Sequence, residues 1–177
     1  MKRTLPTLCL MGGMFLSVAT SALAGEQYVD STGFAVSGYD VVAFFDAEQS
    51  PVGERQPAPV PGRSDIVAEW NGARFAFANE VNRDRFRANP AAFAPAYDGH
   101  CAYGVAKDHK VPGDPQFWRI IDNKLYLNFQ QSVAAKWDQD IPGHIEQSQA
   151  NWVHLDAEGA SHDPVPELDV SAAPIHH

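Results

Sequence analysis

The pair Asn71-Gly72 constrains the fold of this chain more than any other sequence feature. Asn-Gly favours a two-residue type I′ turn, and here it joins two apolar stretches, residues 66–70 and 73–77. Side chains alternate between the two faces of a strand, so one face of this hairpin should be buried. That face comprises Ala68, Trp70, Ala73, Phe75 and Phe77. The sequence therefore predicts an antiparallel β-hairpin packed on a core.

A second alternating stretch, residues 117–129, predicts another hairpin with its turn near Asp122-Asn123. Both of its faces are apolar enough for a central position in a sheet. Residues 34–45 fit either a strand or a short buried helix, because so short an apolar run has no decisive period. The four prolines and two glycines of residues 50–63 predict a loop.

Helices are expected after each hairpin. Asn79 is a suitable N-cap for a helix over residues 80–89, in which Val81 and Phe86 should point inward. Further helices are expected over residues 131–138 and 141–152. The order of hairpin then helix occurs twice, which fits a repeated ββα unit but arises equally by chance in proteins that mix both elements. The predicted fold class is α+β, with small antiparallel β-hairpins and short helices in a single compact domain.

The two ends of the chain predict export and a disordered tail. Residues 1–24 have the basic start, short apolar core and A-x-A ending of a secretory signal peptide. We therefore expect cleavage before Gly25 and a periplasmic or secreted protein. Residues 25–155 should form the folded domain. Residues 156–177 are acidic and contain three prolines, which predicts a disordered tail.

Removal of the signal peptide would change the charge and the methionine and cysteine content of the chain. It leaves 11 basic residues against 22 acidic residues, a net charge of −11, which argues against nucleic acid and anionic membranes as partners. It also removes all three methionines, which excludes a methionine-ligated copper site. Cys101 is then the only cysteine, so no disulfide can form within the mature chain. The composition does not identify a protein partner.

Five stretches of the chain, taken in order, resemble the YHS domain family in its exported bacterial form. They are GYDVVAFF (38–45), EWNGARFAFANEVNRDRF (69–86), ANPAAFAPAYDGHCAYGVA (88–106), WRIIDNKLYLN (118–128) and KWDQDIPGHIEQSQANW (136–152). The resemblance implies a compact α+β domain, and similar domains are associated with heavy-metal proteins. It also places Cys101 within the family motif. An aromatic residue often precedes that cysteine in the family, so the resemblance assigns no role to His100.

Cys101 lies beside His100 and eight residues before His109, which suggests a transition-metal site. Thiolate and imidazole ligands together suit copper or zinc better than calcium or magnesium. Asp98 or Asp108 could supply a fourth ligand, although the spacing matches no standard site. The sequence thus predicts an exported metal-binding protein that uses Cys101 with histidine help.

The alternative is a non-catalytic accessory or interaction domain, in which Cys101 is a small buried side chain and no metal binds. No nucleophile-elbow or protease motif surrounds the cysteine, so we do not expect an enzyme.

A second group of residues either lines a small aromatic pocket or packs in the core. Its members are Tyr39, Asp40, Trp70, Tyr97, Tyr103 and Trp118. Asp40 precedes an apolar run and, once buried, needs a partner such as a helix N-terminus, Arg119 or a ligand.

Overall fold

Two β-hairpins organise the fold, as the alternating sequence patterns predict. The computed structural model describes residues 25–166 of the protein. Its strands are β1 (Arg63–Trp70), β2 (Ala73–Phe77), β3 (Asp114–Ile121) and β4 (Lys124–Asn128). β1 pairs with β2 and β3 with β4, both antiparallel. The turn residues Asn71, Asp122 and Asn123 have φ of 47°, 48° and 56°, the left-handed conformation of a type I′ turn.

Short helices complete an α+β fold, which confirms the predicted class. They are α1 (Ala43–Asp46), α2 (Glu80–Ala88), α3 (Pro90–Phe93), α4 (Ala102–Ala106), α5 (Gln131–Trp137) and α6 (Ile141–Leu155). The apolar run 34–45 contains a turn and α1 instead of a strand. Within residues 25–166, no helix combines the length and the apolar composition needed to cross a membrane.

Helix α2 confirms one expectation and corrects another. The Asn79 side chain caps it by accepting a hydrogen bond from the Asn82 amide at 2.9 Å. Phe86 is fully buried as predicted, but Val81 is 68% exposed. The buried face of α2 runs through Asn82 and Phe86, four residues apart, because the Asn82 side chain donates to buried Asp40.

Both hairpins contribute to one main core. From the first half of the chain come Phe75, Phe77 and Phe86, whose rings lie 4.8–5.2 Å apart where they meet. The second hairpin adds Trp118, Leu125 and Leu127 to the same cluster. Each hairpin therefore depends on the other to cover its apolar face.

The paired residues of the second hairpin match those of the first when 51 is added to each residue number. In the first, the pairs are Arg63↔Phe77 and, after a bulge, Val67↔Ala76. In the second, they are Asp114↔Asn128 and, after a bulge, Trp118↔Leu127. The bulge thus falls at the same place in both, so the hairpins match in detail as well as in order.

Matching segments precede the hairpins. Val-Pro-Gly occurs at residues 60–62 and again at 111–113. The Gly62 amide donates to the Gly38 carbonyl at 2.9 Å, and the Gly113 amide donates to the Gly99 carbonyl at 3.0 Å.

The turns that contain Gly38 and Gly99 share an uncommon conformation. Val36 and Ser37 each have φ of 52° in the first turn, and Tyr97 and Asp98 have φ of 54° and 53° in the second. Left-handed φ values are rare for residues other than glycine. We therefore interpret residues 35–88 (unit 1) and 96–137 (unit 2) as two copies of one unit, and the matching geometry favours a true repeat over chance similarity.

The segment after α6 runs beside the first described residues of the chain. The Tyr28 hydroxyl donates to the Asp163 carbonyl at 2.7 Å, and the Ser161 amide donates to a ring nitrogen of His100 at 3.0 Å. Val165 is buried. Residues 156–166 therefore have defined contacts, although their composition predicts disorder. The expected signal peptide (1–24) and the remainder of the expected tail (167–177) lie outside the described residues.

Candidate functional site

Asp40 of unit 1 and Cys101 of unit 2 occupy equivalent positions. Each follows its left-handed turn by two residues, and both side chains are fully buried. The Asp40 amide donates to the Val60 carbonyl and the Cys101 amide to the Val111 carbonyl, both at 2.9 Å. The candidate cysteine is therefore one of two buried residues that the fold places at the start of a short helix.

Asp40 is satisfied entirely by protein groups. Its Oδ1 accepts hydrogen bonds from the amides of Val42 and Ala43 at 3.0 and 3.3 Å. Its Oδ2 accepts from the Ala78 amide at 2.9 Å and from Asn82 Nδ2 at 2.7 Å. Of the predicted partners, the helix N-terminus is confirmed. Four donors compensate for the removal of this carboxylate from water.

The other predicted partner, Arg119, has a different role. Its guanidinium lies 3.4 Å from Asp138 and also donates to the Ser50 carbonyl at 3.2 Å. Both charged side chains are largely buried. This pair joins β3 to the end of α5 and to the loop at residues 50–51.

Cys101 has the environment of a structural thiol. Its Sγ accepts a hydrogen bond from the Gly104 amide at 3.3 Å, which makes it the N-cap of α4. The thiol also points toward Asn128 Oδ1 on β4, at 3.7 Å. Burial raises the pKa of the Cys101 thiol to about 11. The thiol is therefore protonated at neutral pH, which disfavours nucleophilic attack because that requires the thiolate.

The His100 ring bonds to the turn of unit 2 and to the segment after α6. Its Nδ1 donates to the Tyr97 carbonyl at 2.8 Å, and its Nε2 accepts from the Ser161 amide at 3.0 Å. The ring also contacts Tyr28 and Trp152. Burial lowers the pKa of His100 to about 4, so the imidazole is neutral at pH 7 and both of its nitrogens are engaged.

The three predicted metal ligands, Cys101, His100 and His109, do not form a cluster. The first two are buried and bond to different elements, whereas His109 is exposed. Within residues 25–166, no group of three or more histidine, cysteine, aspartate or glutamate side chains is arranged to hold a metal ion. The arrangement thus supplies no ready coordination site for copper or zinc at Cys101.

The residues predicted to line a pocket divide between core and surface. Tyr39 and Asp40 are buried in unit 1, and Trp118 lies in the main core. The Tyr103 ring lies edge-to-face with that of His144, at a centroid distance of 5.1 Å. Trp70 and Tyr97 do share a cavity, which we call the aromatic cleft. It has a volume of about 320 Å³ and is lined by Trp70, Ala91, Ala94, Pro95, Ala96, Tyr97, Asp98, Lys124, Tyr126, Gln149 and Trp152.

The aromatic cleft brings together rings from separate elements. The Tyr97 ring lies 5.9 Å from that of Tyr126 and 5.4 Å from that of Trp152. Tyr97 belongs to the left-handed turn of unit 2, a backbone state that clusters at functional sites. Tyr126 and Trp152 were absent from the predicted pocket. The only sequence indication is that both are large aromatics on otherwise amphipathic elements, β4 and α6.

Comparison with known proteins adds no assignment to this geometry. No protein-family model matches the chain, and no curated protein or solved structure matches it. The resemblance to the YHS family therefore rests on its five sequence blocks, and the site has to be interpreted from its own contacts.

Proposed function

We propose that the protein is an exported, non-catalytic interaction domain that binds a partner protein through the aromatic cleft, with Cys101 as a structural residue. The observation that carries the proposal is the open cleft, whose lining includes four large aromatic side chains, of which all but the buried Tyr126 are partly exposed. They are Trp70, Tyr97, Tyr126 and Trp152. Tryptophan and tyrosine dominate the energetics of protein interfaces, because they offer large contact areas at low entropic cost.

The repeat supports a structural role for Cys101. Its counterpart, Asp40, accepts hydrogen bonds from the Val42 and Ala43 amides at the start of α1 and from the Ala78 amide after β2. Cys101 caps α4 through Gly104 and lies against β4 through Asn128. Asp40 and Cys101 thus each join the start of a short helix to a neighbouring segment of their unit, and neither set of contacts requires a metal.

The shape of the cleft favours a protruding side chain of a partner over an enclosed small molecule. Its volume of about 320 Å³ is at the lower limit for ligand pockets, and it opens broadly to solvent. Lys124 and Asp98 provide polar groups among its lining residues. Val153 lies one turn after Gln149 on the same face of α6 and is 84% exposed, which extends the apolar surface.

The net charge of the chain indicates which kind of partner surface would present the side chain that enters the cleft. The expected mature chain has a net charge of −11, so association is favoured with a neutral or basic partner. We therefore propose an apolar or aromatic side chain on a basic protein surface as the occupant of the cleft.

The structural role of Cys101 predicts slow thiol chemistry and no dependence on metal. Labelling of native protein by a thiol reagent should be at least about a hundredfold slower than labelling of unfolded protein, because burial suppresses the thiolate. Cys101→Ser should retain the fold, since a serine hydroxyl also caps a helix. Copper and zinc content, measured by elemental analysis of protein purified from its own cells, should be the same in wild type and variant.

His109→Asn serves as the matched control, because His109 is exposed and belongs to the proposed ligand set. Stoichiometric copper or zinc in the wild type that is lost in folded Cys101→Ser would establish the metal site and overturn the structural role. Equal metal content in all three proteins supports it.

A photo-crosslinker placed beside the cleft tests the interaction. Val153→p-benzoylphenylalanine puts the probe at the cleft edge, and Val81→p-benzoylphenylalanine is the matched control on another exposed valine. We expect irradiation of cells to attach a second protein at position 153 but not at 81, and Trp70→Ala to reduce this product. Equal products at both positions, no product, or a product made only of two copies of this chain would contradict the proposal.

A further inference from the structure

Gly25, the residue expected to follow the cleavage, is held on three sides. Its nitrogen donates to Asp156 Oδ1 at 3.0 Å, and its carbonyl accepts from Asn71 Nδ2 at 2.7 Å. A Cβ atom at this position would overlap the carboxylates of Asp98 and Asp156 and would lie 2.9 Å from the Asp156 carbonyl oxygen, so a larger residue would have to displace these groups. The contacts join the tip of the first hairpin, the turn of unit 2 and the end of α6.

Among residues 25–166, no basic side chain forms a salt bridge with either carboxylate beside Gly25. Asp98 Oδ1 accepts from the Gln27 side chain, whereas Asp98 Oδ2 is buried and finds no hydrogen-bond partner within that part of the chain. Burial, and next the nearby Asp156 charge, raise the pKa of Asp98 to about 6. Lys110 acts in the opposite direction but donates to the Glu158 carbonyl at 2.6 Å. Within the described part of the chain, the pair of carboxylates therefore lacks a compensating positive charge, and Asp98 Oδ2 lacks a hydrogen-bond donor.

We propose that cleavage between Ala24 and Gly25 creates the ligand of this site, the N-terminal ammonium group of Gly25 held between Asp98 and Asp156. A signal endopeptidase hydrolyses the peptide bond. The C–N bond breaks, the hydroxyl of water joins the Ala24 carbonyl, and the remaining hydrogen joins the Gly25 nitrogen. The amine then takes up a proton at neutral pH.

Cleavage changes what the Gly25 nitrogen offers. In the uncleaved chain the Gly25 nitrogen is an uncharged amide with one hydrogen, which it donates to Asp156. An ammonium group has three donors and a full charge, so it can bond Asp156 and also the unpartnered oxygen of Asp98. The processed protein is thereby more stable than its precursor, which links the stability of the domain to its export.

The test compares one protein before and after its N-terminus is freed. Residues 25–177 are produced behind a tag whose protease site ends directly before Gly25, and thermal unfolding is followed before and after release. We expect release to raise the melting temperature at pH 6.5. An α-amino group titrates at about 7.7–8.0 when unfolded, and the carboxylates raise its folded pKa. The gain should therefore be largest just below about pH 7.7. It is lost as pH rises through the folded pKa of the amine, and it also declines in acid as Asp98 takes up a proton.

A second readout reports on the ammonium group directly. Acylation of the α-amine at pH 7, measured by mass spectrometry of the N-terminal peptide, should be about tenfold slower in the released wild type than in released Asp98→Asn/Asp156→Asn, since each unit of pKa changes the reactive fraction tenfold. Glu158→Gln, at an exposed acid nearby, is the matched control and should behave as wild type.

Three results would overturn the proposal: equal stability before and after release, equal acylation rates in wild type and double variant, or an exported protein whose N-terminus is not Gly25. None of them bears on the aromatic cleft or on Cys101, so this proposal can fail independently of the proposed function.

Discussion

Replacing Asp40 by alanine is expected to lower the free energy of unfolding by about 3–5 kcal/mol, because it leaves buried donors without an acceptor. Two backbone amides at the start of α1, the Ala78 amide and the Asn82 side chain all bond this carboxylate. The bonds from the Val42 amide and the Asn82 side chain are fully buried, so water cannot readily replace the carboxylate there. Urea unfolding at pH 7, followed by tryptophan fluorescence, gives the comparison.

Asp46→Ala is the control for the charge alone. Asp46 pairs with Arg85 at the surface, with about half of its side chain exposed, so its loss should cost less than about 1 kcal/mol. If the two alanine variants are equally stable, the hydrogen bonds of Asp40 do not contribute as the structure indicates.

Phe86→Ala is the second large effect, with an expected loss of about 3–5 kcal/mol from a cavity in the main core. The Phe86 ring is fully buried and contacts Phe75 and Phe77. It is also where α2 meets the first hairpin, so the space it leaves is bounded by rigid elements and cannot close fully. The loss should appear as a lower urea midpoint with an unchanged dependence on urea concentration.

Val81→Ala provides the matched control within the same helix. Its side chain is 68% exposed, so we expect a change within about 0.5 kcal/mol. Similar losses from Phe86→Ala and Val81→Ala would show that α2 packs on a face other than the one described.

Local patterns predicted much of the fold, because they reflect the backbone itself. The Asn71-Gly72 turn, the alternation of β3 and β4 and the Asn79 cap are each encoded within a few residues. The inward position of Val81 was wrong, because the choice between Val81 and Asn82 depends on Asp40, some forty residues away in the chain. Helical period alone could not show that a polar residue takes the buried place.

The candidate site was less accessible to sequence reasoning, since its contacts join distant segments. His100 and Cys101 are adjacent, yet one bonds Ser161 and the other faces Asn128. The repeat could have been found from Val-Pro-Gly at residues 60–62 and 111–113. No single offset aligns the whole repeat, because it is 61 residues between Gly38 and Gly99 but 51 between Gly62 and Gly113.

The shared core of the two units has a consequence for how the chain can vary. A symmetric homodimer must change both copies of a residue at once, because one gene encodes both. Here the two equivalent positions belong to one polypeptide, so Asp40 and Cys101 could diverge separately while the surrounding hydrogen bonds stayed the same. The two halves thus share a backbone arrangement but not their buried side chains, and the pairing of Asp40 with Cys101 is one example.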